Sequence, residues 1–156
     1  MPGYGIAPPD ADSGLLPWSW ATERLAGSHD YWVATVSADG HPHVMPVWGV
    51  LVDDRLMWST SPGSRKARNL AINAAITIAT TDSSQPVIVE GTAVAVTDLD
   101  IITRFATAMD AKYASTYGVE FYRANTTYVV KAIRAFGLDT DDFTGTPTRW
   151  TFPTAT

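Results

Sequence analysis

Alternating hydrophobic and polar residues along the chain predict a succession of short β-strands with few helices between them. β-Branched and aromatic residues dominate the predicted strands, which are 31–36, 43–52, 56–60, 76–81, 87–96 and 126–138. Apolar residues recur at helical spacing in the predicted helices, which are 17–27, 64–74 and 98–117. Asp98 is predicted to cap the last of them. The order of one helix, three strands, a helix, two strands, a helix and a strand favours a small antiparallel β-barrel with flanking helices.

The chain of 156 residues is long enough for one domain with a substantial core. Residues 1–16 are rich in proline and glycine and lack hydrophobic periodicity, so they are predicted to be a flexible tail. The remainder, 17–156, is predicted to be a single domain.

The second predicted strand, 43–52, is almost wholly apolar. A strand with apolar side chains on both sides is buried on both faces, so we predict the barrel interior on one side and a helix or a second subunit on the other. Pro46 cannot donate to a ladder and indicates an edge or a bulge, while Gly49 permits close approach of a ligand or another backbone. This pattern predicts a homodimer.

A possible anion site follows the third strand, where a Pro-Gly turn at 62–63 precedes Ser64, a good helix N-cap. On a helical wheel one arc holds Arg65, Lys66, Asn69 and Asn73. Two cations, two amides and free backbone N–H groups at a helix N-terminus favour phosphate. The alternative is a capped surface helix whose cations are solvated.

Composition limits the possible functions. The 46% hydrophobic content indicates a globular protein, and the net charge of -5 argues against nucleic-acid binding, so that any basic site must be local. The absence of cysteine excludes disulfides, thiolate catalysis and cysteine zinc sites. No apolar run reaches the roughly 18 residues of a membrane span, and no signal-peptide pattern begins the chain. A cytoplasmic location without membrane contact is therefore expected.

Few side chains suggest catalysis by the protein itself. His41 and His43 alternate in a strand and share a face, but two ligands without a third do not make a metal site, so no metal is predicted. Glu90, the one charge in its strand, is read either as an outward-facing carboxylate or as part of a site. No nucleophile, triad or acid–base pair is found, and no catalytic residue is predicted.

Taken together, the motifs resemble the flavin and deazaflavin split β-barrel family, the relatives of pyridoxamine 5′-phosphate oxidase. Over roughly residues 17–140 the likeness rests on the order and spacing of six short segments, Ala34–Val36, Asp39–His43, Pro46–Gly49, Trp58–Thr60, Ser64–Leu70 and Val89–Ala93. Within that family the chain is similar to the actinobacterial branch that uses coenzyme F-420, a deazaflavin.

The resemblance implies a mainly β fold, a split β-barrel of about six antiparallel strands, and a homodimer with two cofactor sites at its interface. It also implies four segments of cofactor contacts. The ring system would lie along Met45, Pro46, Val47, Trp48 and Gly49, and the end of the third strand would contribute Ser59 and Thr60. The phosphate would contact Ser64, Arg65, Lys66 and Asn69. A second strand, which often belongs to the partner subunit, would contribute Ile88, Val89, Glu90 and Gly91.

The implied function is an oxidoreductase that uses reduced coenzyme F-420 to transfer hydride to a small unsaturated or quinone-like acceptor. The chain ends in Thr148–Pro153 and lacks the basic C-terminal motif of the pyridoxamine phosphate oxidases, which argues against vitamin-B6 oxidation. The strand 44–49 lacks the arginine and lysine of FMN oxidases, which favours deazaflavin over FMN. The alternatives are an FMN-dependent oxidoreductase, a non-catalytic carrier of the cofactor and, as a minor option, haem binding.

Overall fold

Seven antiparallel strands form one sheet, and the first six of them in chain order close into a barrel. The computed structural model describes residues 15–153. The strands are β1 (Asp30–Val36), β2 (Pro42–Val52), β3 (Arg55–Thr60), β4 (Ala75–Thr80), β5 (Val87–Val96), β6 (Thr126–Gly137) and β7 (Thr148–Thr151). Their order in the sheet is β3-β2-β1-β4-β5-β6-β7, and β3 also pairs with β6, which closes the barrel. The predicted split β-barrel is confirmed.

Four α-helices among the described residues flank the barrel, and three of them were predicted. They are α1 (Trp18–Gly27), α2 (Arg65–Ile72), α3 (Leu99–Tyr113) and α4 (Gly118–Ala124). Asp98 caps α3 as predicted, because its carboxylate accepts from the backbone N–H groups of Asp100 and Ile101. Within residues 15–153, none of the helices has the length and apolar character needed to span a membrane.

The end of the third predicted helix is wrong. α3 stops at Tyr113, because Ala114 adopts a left-handed conformation with φ of 50°. The Asp110 carboxylate accepts hydrogen bonds from the Ser115 hydroxyl at 2.6 Å and from the Gly118 backbone N–H at 2.9 Å. These side-chain bonds stabilise the turn, so that Gly118 begins α4 instead of ending α3.

Two hydrophobic clusters fill the molecule. The first lies inside the barrel and is formed by alternate residues of the strands, among them Tyr31, Val33, Trp58, Ile78 and Val89. The second lies between the outer surface of β3 and the helices α3 and α4, and includes Met57, Phe105, Met109 and Tyr122. Since Met57 and Trp58 are neighbours in β3, that strand is buried on both faces.

The two ends of the described chain meet at the edge of the sheet. The short strand β7, which was not predicted, pairs with β6. The Leu16 backbone N–H donates to the Thr148 hydroxyl at 2.9 Å, and the Trp150 indole donates to the Leu16 carbonyl at 3.2 Å. Trp18 packs edge-on against both Trp150 and Phe152, so the aromatic C-terminal segment packs within its own chain. The rest of the predicted tail, residues 1–14, lies outside the described residues.

The prediction that β2 is buried on both faces is wrong for the single chain. Val52 and the C-terminal part of the strand pack against the barrel and α3, but Val44 is 51% exposed, Met45 44% and Trp48 41%. Trp32, which faces Pro46 across the β1–β2 ladder, is 46% exposed. Helices therefore cover only half of this apolar strand.

Candidate functional site

The barrel is split between β2 and β3. The two strands pair only where residues 49–52 of β2 oppose residues 55–58 of β3. Beyond this ladder β2 pairs with β1 alone, whereas Ser59 and Thr60 of β3 pair with β6. The backbone groups on one edge of residues 42–48 therefore have no strand partner among the described residues. The loop that leads to α2 begins at this split.

The turn before α2 is held by side-chain hydrogen bonds. Ser64 is the N-cap, as predicted, and its Oγ accepts from the Ala67 backbone N–H at 3.1 Å. The Thr60 hydroxyl donates to the same Oγ at 3.1 Å, which ties the turn to the end of β3. The Arg68 guanidinium donates to the Gly63 carbonyl at 2.8 Å. The start of the helix is thus preorganised before any ligand binds.

Two cations at this helix N-terminus lack acidic partners. The ion pairs formed by residues 15–153 involve neither Arg65 nor Lys66. Lys66 is half-buried, and its burial lowers the pKa of the ammonium. Because partial burial of a cation without a paired anion is costly, the arrangement favours an anionic ligand.

His43 joins these cations, a placement that the sequence did not predict. Burial lowers the pKa of its imidazole, and the charges of Arg65 and Lys66 lower that pKa further. Its Nδ1 is buried and makes no hydrogen bond to a described residue. His41, by contrast, pairs with the exposed Asp39 carboxylate at 3.0 Å. The strand alternation that put both histidines on one face did not show that α2 packs beside only one of them.

Asn69 does not share the exposed arc that the helical wheel predicted for it. Its side chain is buried, and its amide nitrogen donates to the Thr35 hydroxyl of β1 at 2.9 Å. Thr35 is only 2% exposed, and a buried hydroxyl needs a hydrogen-bond partner, which explains the direction of Asn69. The amide nitrogen is engaged in joining α2 to the barrel, and a ligand contact by Asn69 stays a prediction.

The predicted ring-contacting residues of β2 divide between its two faces. Successive side chains of a strand point to opposite faces, so Met45 lies on the same face as His43, whereas Trp48 lies on the other face with Pro46. Met45 and Trp48 are exposed enough to contact a ligand with their side chains. Val47 and Gly49 are buried. The backbone N–H and carbonyl of Gly49 are hydrogen-bonded to side chains of α3, so a ligand contact by Gly49 stays a prediction.

The predicted second segment lies apart from the cations in a single chain. Three strand spacings of about 4.8 Å, or roughly 14 Å in all, separate β5 from β2 in the sheet. Val89 is buried in the core, Ile88 is half-buried, and the Glu90 carboxylate pairs with Arg134. Gly91 lies at a β-bulge. One chain does not bring these residues to the α2 site, and their ligand contacts stay a prediction that needs a second subunit.

A cavity lies elsewhere in the part of the chain that the structure describes. It measures about 400 Å³ and lies between α1 and the β4–β5 loop, lined by residues that include Glu23, Arg24, His29, Asp82 and Gln85. Arg24 is committed to its neighbours, since its guanidinium bonds to Gln85 and stacks over Trp20. None of the predicted cofactor residues lines this cavity. No cluster of three potential metal-binding side chains occurs among residues 15–153.

Solved structures share this fold at low sequence identity. The conserved hypothetical protein Rv2991 from Mycobacterium tuberculosis is 18% identical over 96% of each chain, with a TM-score of 0.73. A protein described as an F420 reductase is 22% identical, covering 72% of this chain and 93% of its own, with a TM-score of 0.58. A heme binding protein from Mycobacterium smegmatis is 17% identical, covering 85% of this chain and 62% of its own, with a TM-score of 0.63. At these identities the likeness shows the fold alone.

The closed antiparallel barrel with its split at β2 defines the molecule as a split β-barrel protein. The family model described as pyridoxamine 5'-phosphate oxidase matches residues 21–139, which is more than half of the chain. The chain belongs to this family of flavin-binding oxidoreductases, as the sequence motifs predicted. A search of curated protein sequences finds no match.

Proposed function

We propose that the chain is a cytoplasmic, homodimeric oxidoreductase that binds coenzyme F-420 and uses its reduced form to donate hydride to a small unsaturated or quinone-like acceptor. The observation that carries the proposal is the pair of cations without acidic partners, Arg65 and Lys66, at a preorganised helix N-terminus beside the split of the barrel. The family and the likeness to a protein described as an F420 reductase support it.

The residues at the site fit a phosphate-bearing ring cofactor. The ammonium of Lys66, the guanidinium of Arg65 and the N–H groups of the first turn of α2 would bind the phosphate, as charge-assisted donors do. Met45 and Trp48 would supply apolar contact surface on the two faces of β2. When bound, a reduced deazaflavin supplies the hydride, so the protein need only hold and orient the cofactor and admit the acceptor.

The choice of deazaflavin over FMN rests on the strand beside the split. Residues 44–49 carry no arginine or lysine, so this strand offers a ring only apolar side chains and peptide groups. His43 is the titratable residue next to this segment, and it faces the cations of α2. FMN oxidases of the family carry an arginine and a lysine on this strand, and the absence of both here supports a deazaflavin.

We expect the affinity for coenzyme F-420 to exceed that for FMN by about tenfold, because the ring-facing strand lacks cations. FAD should bind more weakly than FMN. Fluorescence titration of the purified protein with each cofactor, at fixed pH and ionic strength, measures this preference. Equal or tighter binding of FMN supports the FMN-dependent alternative instead. Haem, titrated in parallel, is expected not to compete with coenzyme F-420.

Turnover separates an enzyme from a carrier. We expect the protein to catalyse the oxidation of reduced coenzyme F-420 by at least one quinone or activated alkene from a panel of acceptors. Tight binding without turnover of any acceptor supports the carrier alternative. An apolar pocket edge is chemically permissive, so the panel should vary the shape as well as the electron affinity of the acceptors.

The proposed dimer accounts for the exposed apolar face of the sheet. Pro46, Trp32, Ala79 and Ile88 oppose one another in neighbouring strands and form a row across β2, β1, β4 and β5. Trp32 and Val44 on this face are 46% and 51% exposed. A contiguous apolar surface is characteristic of a protein interface, and a typical stable interface buries about 1,600 Å².

We expect light scattering at about micromolar concentration to give twice the chain mass of 16.9 kDa. The variant Trp32→Glu should give the single-chain mass, because a carboxylate at the centre of the face cannot be desolvated without a partner. Leu99→Glu is the matched control, since Leu99 is similarly exposed, at 52%, but lies at the start of α3. A parent protein that is monomeric under these conditions contradicts the proposed dimer.

A further inference from the structure

The last turn of α3 contacts the segment of β2 that carries Trp48. The Lys112 ammonium donates to the Gly49 carbonyl at 2.8 Å and to the Ser28 carbonyl at 2.6 Å. It also donates to the Tyr31 hydroxyl at 3.1 Å. Lys112 therefore joins α3, β1, β2 and the α1–β1 connection at one point.

Tyr113 completes this junction. Its hydroxyl accepts from the Gly49 backbone N–H at 2.9 Å and donates to the His29 carbonyl. Its ring stacks on Trp48 with 4.2 Å between the ring centroids and 4° between the ring planes. A Cβ at Gly49 would lie 2.9 Å from the Met57 carbonyl, so glycine allows the strands to pack closely here. Trp48 is thus 41% exposed and yet held on one side by a parallel aromatic ring.

This junction holds its charge at a cost to folding. The ammonium of Lys112 is half-buried, and burial lowers its pKa to about 8, although the Asp30 carboxylate acts in the opposite direction. An apolar side chain of similar length would avoid the desolvation of a charge. The cost of this partly buried charge is offset by three hydrogen bonds, one of them to the residue that follows the exposed Trp48, which points to a role in fixing this segment of β2.

We propose that Lys112 and Tyr113 are positioning residues that hold Trp48 as a rigid wall of the cofactor or acceptor site. The proposal rests on the proposed function, because Trp48 is one of its ring-contacting residues. It goes further in assigning the placement of the β2 segment to a pair of residues on α3, which do not need to touch the ligand.

The pair predicts a local change with pH. When Lys112 loses its proton near pH 8, its two remaining N–H groups serve three acceptors, and the charge-assisted bonds are lost. The other titratable groups that face Lys112 are Asp30, Tyr31, His29 and Tyr113. Burial raises the pKa of the two tyrosines, so neither tyrosine ionises near pH 8. Between pH 8 and about 10.5 the unfolded chain binds the lysine proton more tightly, so this group's contribution to folding stability rises with pH. A loosening of Trp48 in that window is therefore local and is not global unfolding.

Fluorine NMR of the ligand-free protein labelled with fluorotryptophan measures the positioning directly. Among the six tryptophans, Trp48→Phe assigns the resonance. In the parent we expect this resonance to shift and broaden as the pH rises, with a midpoint near pH 8. In Lys112→Met it should be broad at all pH values. In Lys112→Arg, which keeps its charge, it should stay sharp through pH 9. Lys131→Met, an exposed lysine on β6, is the matched control and should behave as the parent.

The dissociation constant of coenzyme F-420 provides the second readout. It should rise roughly fivefold between about pH 7 and pH 9 in the parent, rise similarly at neutral pH in Lys112→Met, and stay flat in Lys112→Arg. Tyr113→Phe, which keeps the stack and loses the hydroxyl bonds, should show a smaller weakening of binding, and it tests the proposal if Lys112→Met fails to fold.

An unchanged Trp48 resonance in Lys112→Met and Tyr113→Phe overturns the positioning role. A changed resonance with unchanged affinity overturns its role in binding, whereas a parent that binds no deazaflavin overturns the proposed function and leaves the NMR test of positioning intact.

Discussion

Replacing Lys66 with alanine is expected to weaken cofactor binding about ten- to a hundredfold, because it removes a charge-assisted contact of roughly 1.5–3 kcal/mol. The affinity of the parent should fall as ionic strength rises, and that of the variant should fall less steeply. The melting temperature should stay constant or rise slightly, because burial lowers the pKa of this ammonium and its charge therefore opposes folding at neutral pH. Titration calorimetry and thermal unfolding of the same preparations measure both effects.

The choice of control follows from the structure. Arg65→Ala should resemble Lys66→Ala, although less strongly, because Arg65 is exposed. Arg68 is unsuitable as a neutral control, since its guanidinium holds the Gly63 carbonyl and its loss would disturb the turn. Arg55→Ala removes the same charge from the exposed start of β3 and should bind as the parent does. If both Lys66→Ala and Arg65→Ala retain the parent's affinity, the first turn of α2 is a solvated surface turn and the proposed site is wrong.

The second large effect is expected at the bulge of β5. A Cβ on Gly91 would lie 2.0 Å from the Lys131 carbonyl oxygen and 2.9 Å from the carbonyl carbon of that residue. Both atoms belong to the backbone of the paired strand, so relief requires separation of the β5–β6 ladder that forms part of the closed barrel. Gly91→Ala should therefore lower the free energy of unfolding by about 3 kcal/mol, at the upper end of ordinary overpacking.

Chemical denaturation monitored by circular dichroism measures this loss. Gly27→Ala, at the end of α1, is the matched control, because a Cβ there meets no atom within 4 Å and the substitution should be neutral or slightly stabilising. The comparison also separates two explanations for a glycine at position 91. A stability close to that of the parent, together with weaker cofactor binding, would contradict the structural explanation and favour the predicted cofactor contact at Gly91.

Local physics determined most of the element boundaries. The β-branched and aromatic content of short segments between turn residues located all six barrel strands to within about one residue. Ser64 and Asp98 were identifiable as N-caps because capping depends on neighbouring backbone groups alone. These features depend on contacts between residues that are close in sequence.

The sequence-based prediction was wrong in two regions. The helical pattern after Asp98 continued past Tyr113, but the helix ends there, because the Asp110 carboxylate accepts hydrogen bonds from Ser115 and Gly118 in the following turn. The short strand β7 has little periodicity of its own, and its pairing with β6 and its packing on Trp18 stabilise it. Neither outcome has a strong signal in a window of a few residues.

The composition and motifs of the sequence determined by themselves the split-barrel fold, the family and a cationic helix N-terminus after the third strand. Only the tertiary structure decided which side chains share a space. It turned Asn69 inward to satisfy Thr35 and brought His43 beside the two cations. It also brought Lys112 to the Gly49 carbonyl, although the two residues are 63 positions apart in the sequence. The physical reason is that burial, desolvation and hydrogen-bond pairing depend on which surfaces meet, and those surfaces come from strands and helices distant in the chain.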